Sequence, residues 1–197
     1  MNWETIICLG DSITIGARSM LGYPEYCGNS LSELTNKHWH VINHATSGYK
    51  TIDLCRCVTN NFANLKSFKP DVISIMIGTN DLKTKTNYED FRIAYEQLII
   101  KARLILGNNE ILLLKIPHLM EGVMLPYKIQ MNNEVGKYNE IIEEISKKEG
   151  LSLHSMESTE DDFYDGVHLN DKGSKRWGKM LADYIFQLRS VDSVRKI

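Results

Sequence analysis

Four polar clusters in this chain carry residue types that could do acyl-transfer chemistry together: Ser12, Gly48, Asn80 and the pair Asp165 and His168. A serine hydroxyl is a weak nucleophile until a neighbouring base removes its proton. His168 is the natural base near neutral pH. Asp165, three residues earlier, is close enough to bond the far imidazole nitrogen and fix its tautomer. An attacked carbonyl builds negative charge on its oxygen, which needs fixed donors. The backbone N–H groups of Ser12 and Gly48 and the Asn80 side-chain amide are the candidates, each worth about 3 kcal/mol of barrier. Taken singly, each cluster has a plainer reading. Gly-Asp-Ser triplets and Asp-Gly dipeptides are common turns, Asn80 could cap a helix or turn, and His168 could be a surface histidine.

The elements that must position these residues give the clusters their weight. The apolar run at residues 5–9 stops at Gly10-Asp11-Ser12 and reads as a buried strand. A second strand is expected over 39–45, ending at Thr46-Ser47-Gly48. The strongest is 72–77, a continuous apolar run suited to a parallel strand covered on both faces, ending at Gly78-Thr79-Asn80-Asp81. Further strands are expected at 111–114 and 151–154. Helical spacing predicts helices over 24–35, 51–65, 88–106, 134–148 and 171–188. Gly107-Asn108 supplies a stop for the third of these. Residues 118–133 are long and irregular, with Met120, Met124, Met131, Pro126 and Tyr127, and suit core filling or a pocket wall or lid. Five strands alternating with five helices predict one parallel sheet with helices on both faces. Such a sheet returns each strand end to one edge, where functional residues gather. Clusters separated by 36, 32 and 88 positions can therefore meet.

Composition bounds the rest. The chain has 197 residues, 43% of them hydrophobic, and a formal net charge of −2. That length suits one α/β domain, expected over residues 1–189 with a frayed C-terminal tail at 190–197. The charge balance argues against nucleic acid as a partner. No apolar run approaches the length of a membrane span. The N-terminus lacks a basic region before an apolar core, so no leader is expected and the cytoplasm is the simplest compartment. The sequence leaves the oligomeric state open. Cys8, Cys27, Cys55 and Cys57 are too few and irregular for a disulfide framework. His38, His40 and His44 alternate along a strand without an accompanying carboxylate, and a structural role is expected. Residues 160–162 lack the spacing of a calcium loop. No cofactor or metal is implied.

Gly10-Asp11-Ser12-Ile13-Thr14, Gly48, Gly78-Thr79-Asn80-Asp81 and Asp165-Gly166-Val167-His168-Leu169-Asn170 together resemble the four blocks of the SGNH (GDSL) hydrolases, in the same order. The likeness spans nearly the whole chain, although the second block preserves little beyond Ser47-Gly48 and Thr51. It implies a three-layer α/β/α, flavodoxin-like fold with a five-stranded parallel sheet of order 2-1-3-4-5. It also implies hydrolysis of carboxylic esters. Carried over, Ser12 is the nucleophile, Asp165 and His168 complete a triad, and Ser12, Gly48 and Asn80 form the oxyanion hole. Asp11, Thr79 and Val167 are expected beside the substrate, a small-molecule ester, and Asp11 and Asp81 are also expected to order their loops. The expected substrate carries a short acyl group, acetyl on a sugar or small alcohol. A lysophospholipase or thioesterase, and a carbohydrate-binding module that lost turnover, stand as alternatives.

Overall fold

The computed structural model describes residues 3–107 and 109–195, the last five of these as helical backbone only. Met1, Asn2, Asn108, Lys196 and Ile197, which entered the expectations above, lie outside the described residues.

Five strands form one sheet: β1 (Trp3–Gly10), β2 (His38–Ala45), β3 (Val72–Met76), β4 (Glu110–Leu114) and β5 (Ser152–His154). All neighbours pair in parallel, in the order β2-β1-β3-β4-β5. Ile6, Ile7, Cys8 and Leu9 of β1, all of β3 and residues 111–114 of β4 are buried. Their apolar character, interrupted only by the buried Ser74, suits strands covered on both faces. His38 and His40, on the edge strand β2, make ring contacts with Trp3 and Phe68.

Among the described residues, eight α-helices connect and cover the sheet: α1 (Ser12–Ile15), α2 (Tyr23–Thr35), α3 (Thr51–Asn60), α4 (Phe62–Ser67), α5 (Thr79–Thr84), α6 (Tyr88–Leu106), α7 (Asn132–Glu149) and α8 (Asp171–Arg195). Helices α2 and α8 pack against each other, as do α3 with α6 and α6 with α7. Gly178 sets the closeness of the α2–α8 contact: a Cβ there would stand 2.4 Å from the Tyr26 Cβ. Trp177, Leu181 and Ile185 of α8 are buried against this seam, with Tyr23, Cys27 and Leu31 of α2.

Three expectations change. The helix over 51–65 is two helices, because Asn61 turns its side-chain amide onto the Cys57 carbonyl at 2.9 Å and leaves the helical path. The very short α1 and α5 lie inside what reads as strand-end loop. The last helix continues to Arg195, past the expected start of a frayed tail. Arg189 in that extension pairs with Glu4 and lies over the Trp39 ring.

Strand register levels the working edge. Gly10 at the end of β1 pairs with Ala45 of β2 on one side and Met76 of β3 on the other. The chain leaves β1 in one direction to reach β2, then crosses back to β3. Ser12 and Asn80 therefore flank the point where strand order reverses, the favoured place for a ligand in an open α/β sheet.

Candidate active site

Ser12 is the first residue of α1. The helix starts there because the Asp11 carboxylate accepts from the Ile13 N–H at 3.0 Å, an N-terminal cap. The Ser12 N–H belongs to the first helical turn and has no partner within the helix. Gly10 must lack a side chain, since a Cβ there would stand 2.1 Å from Thr14 Oγ1 and 2.7 Å from the Met76 carbonyl. Thr14 in turn bonds the Tyr23 hydroxyl at 3.1 Å, anchoring α1 to α2.

His168 and Asp165 sit in a short loop closed at its base by the Phe163–Leu169 bridge and a bond from the Tyr164 N–H to the His168 carbonyl, 2.8 Å. His168 Nε2 lies 2.9 Å from Ser12 Oγ. Its Nδ1 lies 2.8 Å from Asp165 Oδ2. Asp165 Oδ1 also accepts from the backbone N–H groups of Val167 and His168, at 3.1 and 2.8 Å. Burial pushes the Asp165 carboxyl up, but these bonds and the imidazole outweigh it and hold it below the ordinary value. Arg18, half exposed, stands 3.7 Å from the same carboxylate.

Beneath this loop Asp162 ties the approach to α8. Its carboxylate accepts from the Thr159 N–H at 2.7 Å and from Arg176 Nε at 2.9 Å. The Asn170 side chain bonds the Asp161 and Phe163 carbonyls and accepts from the Gly173 N–H, which caps α8.

The remaining groups are held by two ties between the β2 and β3 ends. Gly48 occupies a turn closed by the Tyr49 N–H on the Thr46 carbonyl, 3.3 Å, with a φ of +83° that glycine adopts without strain. A Cβ at Gly48 would meet no protein atom within 4 Å, so this turn faces open space. Asn80 Nδ2 donates to the Tyr49 carbonyl at 3.0 Å, fixing the amide beside that turn. Asp81 accepts from the Thr51 N–H and hydroxyl at 2.9 and 3.0 Å, the second tie. Burial pushes the Asp81 carboxyl up, against the pull of Thr51.

The structure thus brings Ser12, His168 and Asp165 into one hydrogen-bonded row, and links Gly48 to Asn80 through Tyr49. It does not expose Asp11, Thr79 or Val167. All three are buried, as Ser12 and Asn80 themselves are. Asp11 is spent on capping α1, where burial pushes its carboxyl up to about 7 against the pull of the Ile13 N–H. Thr79 opens α5, and Val167 packs into the core as the loop turns. Tyr127 carries no such expectation, yet its hydroxyl donates to Asn80 Oδ1 at 3.0 Å. The segment around it is a brace. The N–H groups of Met120 and Met124 donate to the Gly166 and Asp165 carbonyls at 2.9 and 3.0 Å.

An open parallel sheet of this order, with a Ser-His-Asp row at its switch point, has the architecture of the SGNH hydrolases. The sequence profile of the GDSL-like Lipase/Acylhydrolase family matches residues 8–176, and the chain belongs to that family. It is 24% identical over 220 residues to a multidomain esterase of Ruminococcus flavefaciens, covering 91% of this chain and 28% of that protein. It is 27% identical over 210 residues to an acetylxylan esterase of Xylanibacter ruminicola, covering 90% of this chain and 42% of that protein. The chain therefore spans less than half the length of either relative. A carbohydrate acetylesterase from Sinorhizobium meliloti shares the fold with a TM-score of 0.73 at 17% identity, over 94% of this chain and 99% of that one. Among the described residues, no helix is long and apolar enough to cross a membrane.

Proposed function

We propose that the chain is a serine esterase that removes short acyl groups, acetyl above all, from a sugar or small alcohol. The observation that carries this reading is the row Ser12–His168–Asp165, with contacts of 2.9 and 2.8 Å. His168 accepts the Ser12 proton as Oγ attacks the ester carbonyl carbon. The oxyanion is met by the N–H groups of Ser12 and Gly48 and by the Asn80 amide. His168 then protonates the departing alcohol, leaving an acyl-Ser12 ester. Water, deprotonated by His168, attacks that ester and frees the acid. Asp165 holds the ring in the tautomer this sequence needs and stabilises its cationic form.

One comparison supports a short acyl group. The acetylxylan esterase of Xylanibacter ruminicola, similar along most of this chain, carries acetyl in its name.

A fluorophosphonate probe tests the nucleophile. Wild type is expected to label and Ser12→Ala to stay unlabelled. On nitrophenyl esters of increasing chain length, kcat/KM is expected to be greatest for acetyl and to fall as the acyl group grows. Equal labelling of Ser12→Ala removes the nucleophile assignment, and a rise with chain length removes the acetyl assignment.

A further inference from the structure

The Asn80 amide can stabilise an oxyanion only if its nitrogen faces the reacting carbonyl, and a free amide has two faces of nearly equal shape. One neighbour breaks that tie and a second secures the result. The Tyr49 carbonyl can only accept, so it demands a hydrogen of Nδ2, at 3.0 Å. The Tyr127 hydroxyl, 3.0 Å from Oδ1, supplies the matching donor. Rotated by half a turn, the amide would set its oxygen against the Tyr49 carbonyl and lose that bond, and Oδ1 would lose the Tyr127 hydroxyl as its donor. One Nδ2 hydrogen is spent on Tyr49, and among the described residues the second has no protein acceptor.

Tyr127 is suited to this task. Its side chain is 6% exposed and packs with the core cluster. Burial pushes its hydroxyl up to about 12, so the donor proton is present across the neutral range. The chain just before it is fixed by Met124 N–H on the Asp165 carbonyl, and Tyr127 N–H closes onto the Met124 carbonyl at 3.0 Å. One stretch thus reaches the triad loop through its backbone and the Asn80 amide through its one hydroxyl.

We propose that Tyr127 is a positioning residue of the oxyanion hole, acting through Asn80 Oδ1 to hold the amide nitrogen toward the developing oxyanion. The inference rests on the esterase reading of the site.

Tyr127→Phe tests it, because it deletes one oxygen and keeps the ring. The expected result is a fall in kcat of about tenfold or more with KM nearly unchanged, since the lost alignment matters when charge develops. In an Asn80→Ala background the same substitution should change kcat no further, because the group it orients is gone. Tyr138→Phe is the control. It removes the hydroxyl of another buried tyrosine, bonded to the Thr86 carbonyl at 2.6 Å, and should lower Tm while leaving kcat intact. Tyr127→Phe that lowers only Tm, or that multiplies with Asn80→Ala, overturns the proposal. Failure of the underlying reading is separate and visible first: wild type would then not label with the probe, or Ser12→Ala would keep its turnover.

Discussion

Replacing Asn80 by alanine separates catalysis from support at one position. The side chain makes two bonds, donating to the Tyr49 carbonyl at a part-buried position and accepting from the buried Tyr127 hydroxyl, each at 3.0 Å. Alanine leaves both partners unpaired. A buried polar group without its bond costs about 1–3 kcal/mol. For a chain of this size each kcal/mol moves Tm by about 2–4 °C, so a fall of several degrees is expected with the sheet intact. The catalytic effect has another origin. Loss of one oxyanion donor costs about 3–4 kcal/mol of barrier, a hundred- to a thousandfold in kcat. KM should barely move, because the bond is made to the oxyanion and not to the ground-state ester. The assay is turnover of nitrophenyl acetate well below the melting transition, alongside a thermal melt of the same sample. Adding Tyr127→Phe should then restore part of the lost Tm, by deleting an orphaned hydroxyl, while kcat stays low. A kcat within about twofold of wild type would remove Asn80 from the oxyanion hole, since a lost donor should cost far more. A kcat regained together with Tm would show that the loss was structural.

Two further outcomes follow from the loop that carries Asp165 and His168. Gly166 has a φ of +74°, and a Cβ on it would stand 2.7 Å from the Val123 Cα. Gly166→Ala should cost about 1–3 kcal/mol and lower kcat and Tm together; an unchanged Tm in a melt refutes this packing. Burial pushes the Asp162 carboxyl up, but Arg176 and Thr159 outweigh it and hold it below its ordinary value. Its folded-state value is thus lower than the unfolded value of about 3.9. The stability it contributes is present above about pH 4 and fades as pH falls through the folded value. Asp162→Asn should lower Tm at neutral pH and converge on wild type in acid; a Tm deficit that does not shrink toward acid contradicts the assigned role.

The sheet was legible because the run 72–77 is short, rich in β-branched residues and bounded by Pro70 and Gly78, which together favour a covered strand. The parallel layout then placed Ser12, Gly48, Asn80 and His168 at one edge before any distance was known. What escaped the sequence was set by single side chains acting across space. The break at Asn61 depends on its amide reaching back to Cys57, and helical periodicity runs straight through it. Helices α1 and α5, four and six residues long, are too short to display a period. Asp11 and Thr79 adjoin reactive groups in sequence, so they read as substrate contacts. In the structure Asp11 Oδ1 caps α1, and Thr79 is buried at the start of α5. Tyr127 left no periodic signal, since its partner lies 47 residues away and its own segment has no repeating pattern.

The brace over residues 118–127 also sets rules for re-engineering the site. Its fastenings to the site are two main-chain donors, at Met120 and Met124, and one phenol, while Leu119 is held separately by the Asn132 side chain. The Leu125 side chain between them is 78% exposed and takes no part. A grafted loop could therefore carry new side chains at its outward positions, provided it reproduces those three anchors in space. A graft that matched length and sequence but shifted one anchor would loosen the nucleophile's partner and the oxyanion amide in the same stroke.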